Sequence, residues 1–149
     1  AFTPRPATTD TLRFRFPVAG RVLFWAERVQ GRWPMMKTIE HIQLKPNDRS
    51  AIEAAIHLLK QKYPVDAVIL YGSKARGTDD IESDIDLLVL TSKELTWRER
   101  NDITDALYDV QLRHGVVIST LVVPTREWSE GRYSVLPIHD EIERYGVAA

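Results

Sequence analysis

The sequence predicts a small mixed α/β sheet with flanking helices, and three observations carry that prediction. Short apolar, β-branched runs alternate with segments whose apolar residues recur at helical spacing. The link between the first two such runs, residues 72–83, is too short for a crossover helix, so those strands pair antiparallel or are joined by one helical turn. The length, 149 residues, suits one compact domain. The result is a mixed sheet rather than a doubly wound Rossmann sheet.

Taken in order, the first helix opens at Pro46, with Asn47 or Asp48 as N-cap and Ile52, Ala55, Ile56 and Leu59 on one face. It ends by Tyr63, because the residue before Pro64 is pushed out of helical geometry. Val65 to Tyr71 reads as a buried strand that Gly72-Ser73 turns, and a second strand runs from about Ile85 to Leu90. Thr96 and Glu99 have capping-box spacing, Ile103, Leu107 and Val110 share a helical face, and Gly115 supplies the stop. A third strand, Val116 to Val123, is closed by Pro124. Pro137 to Tyr145 predicts a last short helix with Gly146 as its C-cap.

Composition bounds the function. With 44% hydrophobic and 28% charged residues and a formal net charge of -1, no global field draws the chain to nucleic acid. It has no cysteine, so disulfides and Cys-ligated zinc or iron–sulfur sites are ruled out, and a reducing cytoplasm suits it. The apolar runs are strand-sized, too short to span a bilayer as a helix. Charge changes along the chain: residues 1–37 carry seven Arg or Lys against two acids, Asp10 and Glu27. Met35-Met36 follows a Pro- and Arg-rich stretch, which predicts a domain over residues 35–149 preceded by an extension over residues 1–34. That extension reads as an upstream addition outside the domain, as a hairpin built on Leu12, Phe14 and Phe16 against Val22 to Trp25, or as a targeting peptide.

The chemistry is concentrated in Leu70-Tyr71-Gly72-Ser73-Lys74-Ala75-Arg76-Gly77 and Ser83-Asp84-Ile85-Asp86-Leu87-Leu88-Val89-Leu90. Asp84 and Asp86 are two apart on a strand, so their carboxylates project from one face at neighbouring positions. Paired like charges on an otherwise apolar strand call for a partner, and a hard divalent cation with oxygen ligands, Mg²⁺, is the natural one. Such an ion takes phosphate oxygens as further ligands, which points to nucleotide chemistry. Gly72 and Ser73 lie where a strand ends and a helical turn opens, where exposed N–H groups favour phosphate. Lys74 and Arg76 are near enough in sequence to offer charge to a triphosphate, Arg76 first among them. Two other motifs fail on inspection. A P-loop needs Lys directly after its second Gly, where this chain has Thr78, and an EF-hand loop needs Gly after Asp86, where it has Leu87.

Gly72-Ser73, ten intervening residues and Asp84-Ile85-Asp86, with Ala75-Arg76-Gly77 and Ser83, resemble the minimal nucleotidyltransferases of the DNA polymerase beta superfamily, specifically the MntA-like antitoxins that pair with HEPN-domain toxins. The resemblance covers residues 47–123, extends more weakly to 146, and leaves residues 1–34 untouched. It implies the polymerase beta-like nucleotidyltransferase fold, Mg²⁺ on Asp84 and Asp86, triphosphate on Ser73 and its backbone, and ATP as donor of AMP. The acceptor it implies is a tyrosine of a HEPN-domain protein partner, in a homo- or hetero-oligomer without membrane or nucleic acid.

In one respect the chain departs from that pattern. The superfamily places a third acid on the next core strand, but residues 116–123 read Val-Val-Ile-Ser-Thr-Leu-Val-Val, with Ser119 or Thr120 at the expected position. Its absence leaves open weaker catalysis, a different base, or a non-catalytic nucleotide- or partner-binding scaffold. A phenol acceptor needs less help, since tyrosine ionises near pH 10, well below an aliphatic alcohol. Transfer to a small hydroxylated substrate, as in aminoglycoside nucleotidyltransferases, would call for an acceptor-binding helical domain that the stretch after Val123 is too short to form. His41, His57, His114 and His139 lack metal-ligand spacing, and Trp97, Trp128 and Tyr108 are expected in the core or an interface.

Overall fold

The computed structural model describes Met36 to Ala149, and the readings made of residues 1–34 lie outside the described residues. Among the described residues there are five strands: β1 (Lys37–Thr38), β2 (Val65–Tyr71), β3 (Ile85–Thr91), β4 (Ile118–Pro124) and β5 (Val147–Ala148). The α-helices are α1 (Pro46–Lys62), α2 (Gly72–Arg76), α3 (Trp97–His114), α4 (Thr125–Ser129) and α5 (Pro137–Tyr145), with 3₁₀ turns at Ile39–His41 and Arg132–Val135. The five described strands form one sheet in the order β1-β5-β2-β3-β4. β2 runs antiparallel to β3 and to β5, while β3 runs parallel to β4 and β1 to β5, so the sheet is mixed as expected.

Local sequence explains most boundaries. Thr96 caps α3 with both halves of a capping box, Glu99 N–H donating to Thr96 Oγ1 at 3.2 Å and Thr96 N–H to Glu99 Oε2 at 2.7 Å. Gly115 ends α3 in the left-handed region at φ 63°, where a side chain would be strained. At α1 the expectation needs correction. Pro46 is already helical, the cap position is Lys45, and Asp48 lies inside the first turn with its side chain buried. Gly146 is the C-cap of α5 but with extended backbone, φ -61° and ψ 150°, because the chain continues straight into β5.

The sheet separates two apolar layers. On one face α1 and α3 set Ala51, Ile52, Ala55, Leu59, Ile103 and Leu107 against Val68, Leu70, Ile85, Leu87 and Val89. Strand alternation sends Ile69, Leu88 and Leu90 to the other face, where α4 and α5 contribute the fully buried Trp128 and Ile142. Close contact there is shown at Gly146, where a Cβ would meet Ile69 Cγ2 at 3.0 Å and Ile142 Cγ2 at 3.1 Å. Tyr71 and Asp86 have the same parity as Ile69 and Leu88, so both point to the α5 side.

Two of the five strands were not legible in the sequence. β1 and β5 are two residues each and exist as strands only because β5 inserts between β1 and β2. None of the described helices is long and apolar enough to cross a membrane.

Candidate active site

The site is assembled where β2 stops. Tyr71 is the cross-strand partner of Asp86, and Gly72 follows it at φ 74°, a conformation L side chains rarely adopt. A Cβ on Gly72 would fall on Oδ2 of Asp86 and come within 3.3 Å of its Cγ. Glycine is therefore required twice over, for the backbone angle and for the space the carboxylate fills. The turn then winds into α2, with half-buried Ser73 in its first turn and Gly77 closing it at φ 71°.

The ten residues between Ser73 and Asp84 have a structural reason. After α2 the chain is tied by a side-chain turn: Asp80 Oδ1 accepts from Glu82 N–H at 2.9 Å and from Ser83 Oγ at 3.0 Å, and Asp80 N–H donates to Ser83 Oγ at 2.9 Å. Lys45 Nζ adds a bond to the Asp80 carbonyl at 3.1 Å. This turn delivers Asp84 at the mouth of β3, exposed, and Ile85 N–H then enters the sheet by donating to the Val117 carbonyl at 2.8 Å. Asp86, half-buried, follows on the same side as Asp84.

The electrostatics fit a cation. Burial pushes the Asp86 carboxyl above the usual range, and the charges of Asp84 and then Glu141 push it the same way, with Arg76 opposing. Tyr71 is also raised, by burial first and then by Asp86 and Glu141. Neither Asp84 nor Asp86 forms a salt bridge among the described residues. Oxygen donors that destabilise one another in this way, one of them accessible, suit a hard divalent ion.

Lys74 and Arg76 part company. On a helical turn they are about 200° apart, so they leave on opposite sides. Lys74 is buried, its Nζ donating to Asp48 Oδ2 of α1 at 2.7 Å and to Asp79 Oδ2 at 3.4 Å. Burial opposes its charge, but the two carboxylates outweigh it and the ammonium stays above the ordinary lysine range. The structure thus ties Lys74 into the fold on the α1 side, because Asp48 would otherwise be a buried lone charge. Arg76 goes the other way, to an ion pair with Glu141 of α5, on the side that Asp86 faces.

Glu141 is the member of this cluster that the sequence reading missed. It lies on a helix correctly placed but given no role, and no local pattern marks it: only the docking of α5 by buried His139 and Ile142 brings it beside Arg76. The parallel register also settles which residue of β4 neighbours the pair. Asp86 is opposite Ser119, whereas Thr120 is opposite Leu87 on the other face. The aromatic residues divide as well, Trp128 being fully buried, stacked on Tyr133 and in tilted contact with His139, while Trp97 and Tyr108 are exposed on α3.

A turn that seats a carboxylate against a glycine, two acids across one residue of strand, and a mixed sheet keep the arrangement that the sequence resemblance to nucleotidyltransferases implies. Comparison with known proteins agrees. The family model described as polymerase beta, nucleotidyltransferase matches residues 53–124. A protein of Methanocaldococcus jannaschii named "Putative protein adenylyltransferase MJ0141" is 34% identical over 112 residues, covering 75% of this chain and 98% of that protein. A second from the same organism, "Putative protein adenylyltransferase MJ0604", is 35% identical over 78 residues, 51% of this chain and 73% of that protein. The chain belongs to the polymerase beta family of nucleotidyltransferases, and it is a nucleotidyltransferase.

Proposed function

We propose that this protein transfers AMP from ATP to a hydroxyl of a protein, a tyrosine of a HEPN-domain toxin in an antitoxin role being the acceptor that the sequence resemblance suggests. The observation that carries the reading is the seating of Asp86 against Gly72 with Asp84 beside it, next to a basic turn, in a chain whose relatives are named for protein adenylylation.

Asp84 and Asp86 would hold Mg²⁺, which when bound offsets phosphate charge and favours ionisation of the acceptor hydroxyl. Gly72 would let the backbone come close to the phosphates, and the Ser73 hydroxyl and the Arg76 guanidinium would bind their oxygens. In the transfer, the acceptor oxygen forms a bond to the α-phosphorus, the bond from that phosphorus to the pyrophosphate oxygen breaks, and the acceptor gives up its proton. Positioning and charge stabilisation dominate such a step, and a phenol loses its proton with little assistance.

Ser119 beside Asp86 keeps one other reading in view, a scaffold that binds nucleotide or partner without turnover. Incubation with α-labelled ATP, Mg²⁺ and a HEPN-domain protein separates the two. Transfer of label with a mass gain of one AMP, lost in Asp86→Asn, supports the enzyme, and nucleotide binding without transfer supports the scaffold.

A further inference from the structure

Resting on that reading of the site, we propose that Glu141 competes with nucleotide for Arg76: its carboxylate holds the guanidinium that a phosphate oxygen takes over, so that binding is an exchange of partners at Arg76.

The two basic residues of α2 make ion pairs of opposite character. Lys74–Asp48 is sealed, with side-chain exposures of 2% and 8%, whereas Arg76–Glu141 stands open at 37% and 42%. A buried pair is costly to open because a lone charge is left behind, while an exposed pair separates at little cost. Only the second can change partners in the time of a binding event.

Glu141 is brought to Arg76 by the docking of α5. It arrives from 65 residues away in sequence, on a helix anchored by Ile142, and adds a negative charge close to Asp86, which already feels Asp84. A third acid there raises repulsion unless a cation needs holding. Arg76 is that cation, at the end of a five-residue helix with four rotatable side-chain bonds to fix. A carboxylate engages the guanidinium with the same donors that grip a phosphate, so the two compete for it. Both anions cannot keep it. The nucleotide must displace Glu141, and the ion pair sets a tax on its affinity.

Titration of the full chain with Mg·ATP, using wild type, Glu141→Gln, Arg76→Ala and the double variant, tests this. Glu141→Gln should bind Mg·ATP roughly two- to fivefold more tightly, the range an exposed ion pair allows. Adenosine, which has no phosphate, should show no gain, and in the Arg76→Ala background the gain should vanish. A merely structural Glu141 would give equal or weaker binding of both ligands, which overturns the proposal. Equal tightening with and without Arg76 overturns it too, by showing simple charge repulsion. If none of the four proteins binds Mg·ATP, the nucleotidyltransferase site itself fails and the exchange with it. Normal wild-type binding unmoved by Glu141→Gln defeats the exchange alone.

Discussion

Asp86 and Ser119 stand side by side on parallel strands β3 and β4, and the next residue, Thr120, is turned to the opposite face beside Leu87. A carboxylate introduced at Ser119 would therefore join Asp84 and Asp86, and one at Thr120 would not. Ser119→Asp should raise AMP transfer on the order of a hundredfold, the lower end of what a positioned base supplies. Thr120→Asp should give no gain and a lower melting temperature, since half-buried Thr120 faces the α1 layer. Initial rates with labelled ATP, alongside thermal melts, check both; a gain in Thr120→Asp alone would contradict the register.

The pair of Asp84 and Asp86 is expected to hold metal at a cost in stability. Asp84→Asn with Asp86→Asn should abolish Mg²⁺-dependent ATP binding in calorimetry while leaving the melting temperature unchanged or a few degrees higher, because repulsion is relieved. Unaltered Mg·ATP affinity in this double variant would remove the metal assignment.

The raised carboxyl of Asp86 sets the sign of a pH effect. Its folded-state ionisation lies above the unfolded one, so its contribution to stability is full below the ordinary aspartate range and is lost as pH rises through the folded value. Mg²⁺ affinity should move the opposite way, weakening on acidification at a higher pH than a free aspartate would dictate. Asp86→Asn should flatten the stability trend, which melts across pH 3 to 7 would reveal.

Gly72 and Gly77 share a positive φ, 74° and 71°, but differ in surroundings. Gly77→Ala should cost about 1 kcal/mol of backbone strain and leave Mg·ATP binding intact, since nothing lies within 4 Å of its would-be Cβ. Gly72→Ala carries the same strain and also drives a methyl into the Asp86 carboxylate, so it should cost more, on the order of 2 to 3 kcal/mol, and weaken metal and nucleotide binding. Urea unfolding with calorimetry on both variants distinguishes them, and equal binding losses would sink the contact.

Lys74 should act on the fold rather than on the nucleotide. Lys74→Met leaves buried Asp48 with its main partner gone and should cost about 3 to 5 kcal/mol at neutral pH. Adding Asp48→Leu should recover much of the stability, with Mg·ATP affinity near wild type in the folded protein. In the wild type the raised ammonium keeps this contribution complete below the ordinary lysine range and loses it as pH climbs through the folded value.

The sequence by itself determined the helices α1 and α3, the core strands β2, β3 and β4, the Gly72 turn and the Asp84–Asp86 pair. Each rests on interactions within a few residues: the periodicity of Ile103 and Leu107, the Thr96–Glu99 box, the alternation that sets Asp84 and Asp86 on one side. What the tertiary structure alone decided depends on residues far apart. Strands β1 and β5 are too short to have a pattern and are defined by their neighbours in the sheet. Which of Lys74 and Arg76 meets the site turned on Asp48, 26 residues before the one, and Glu141, 65 residues after the other. Likewise Ser119 and Thr120 were equivalent until the register paired one with Asp86. Long-range pairing depends on how whole layers dock, and a charge carries no mark in the sequence of the partner that will neutralise it.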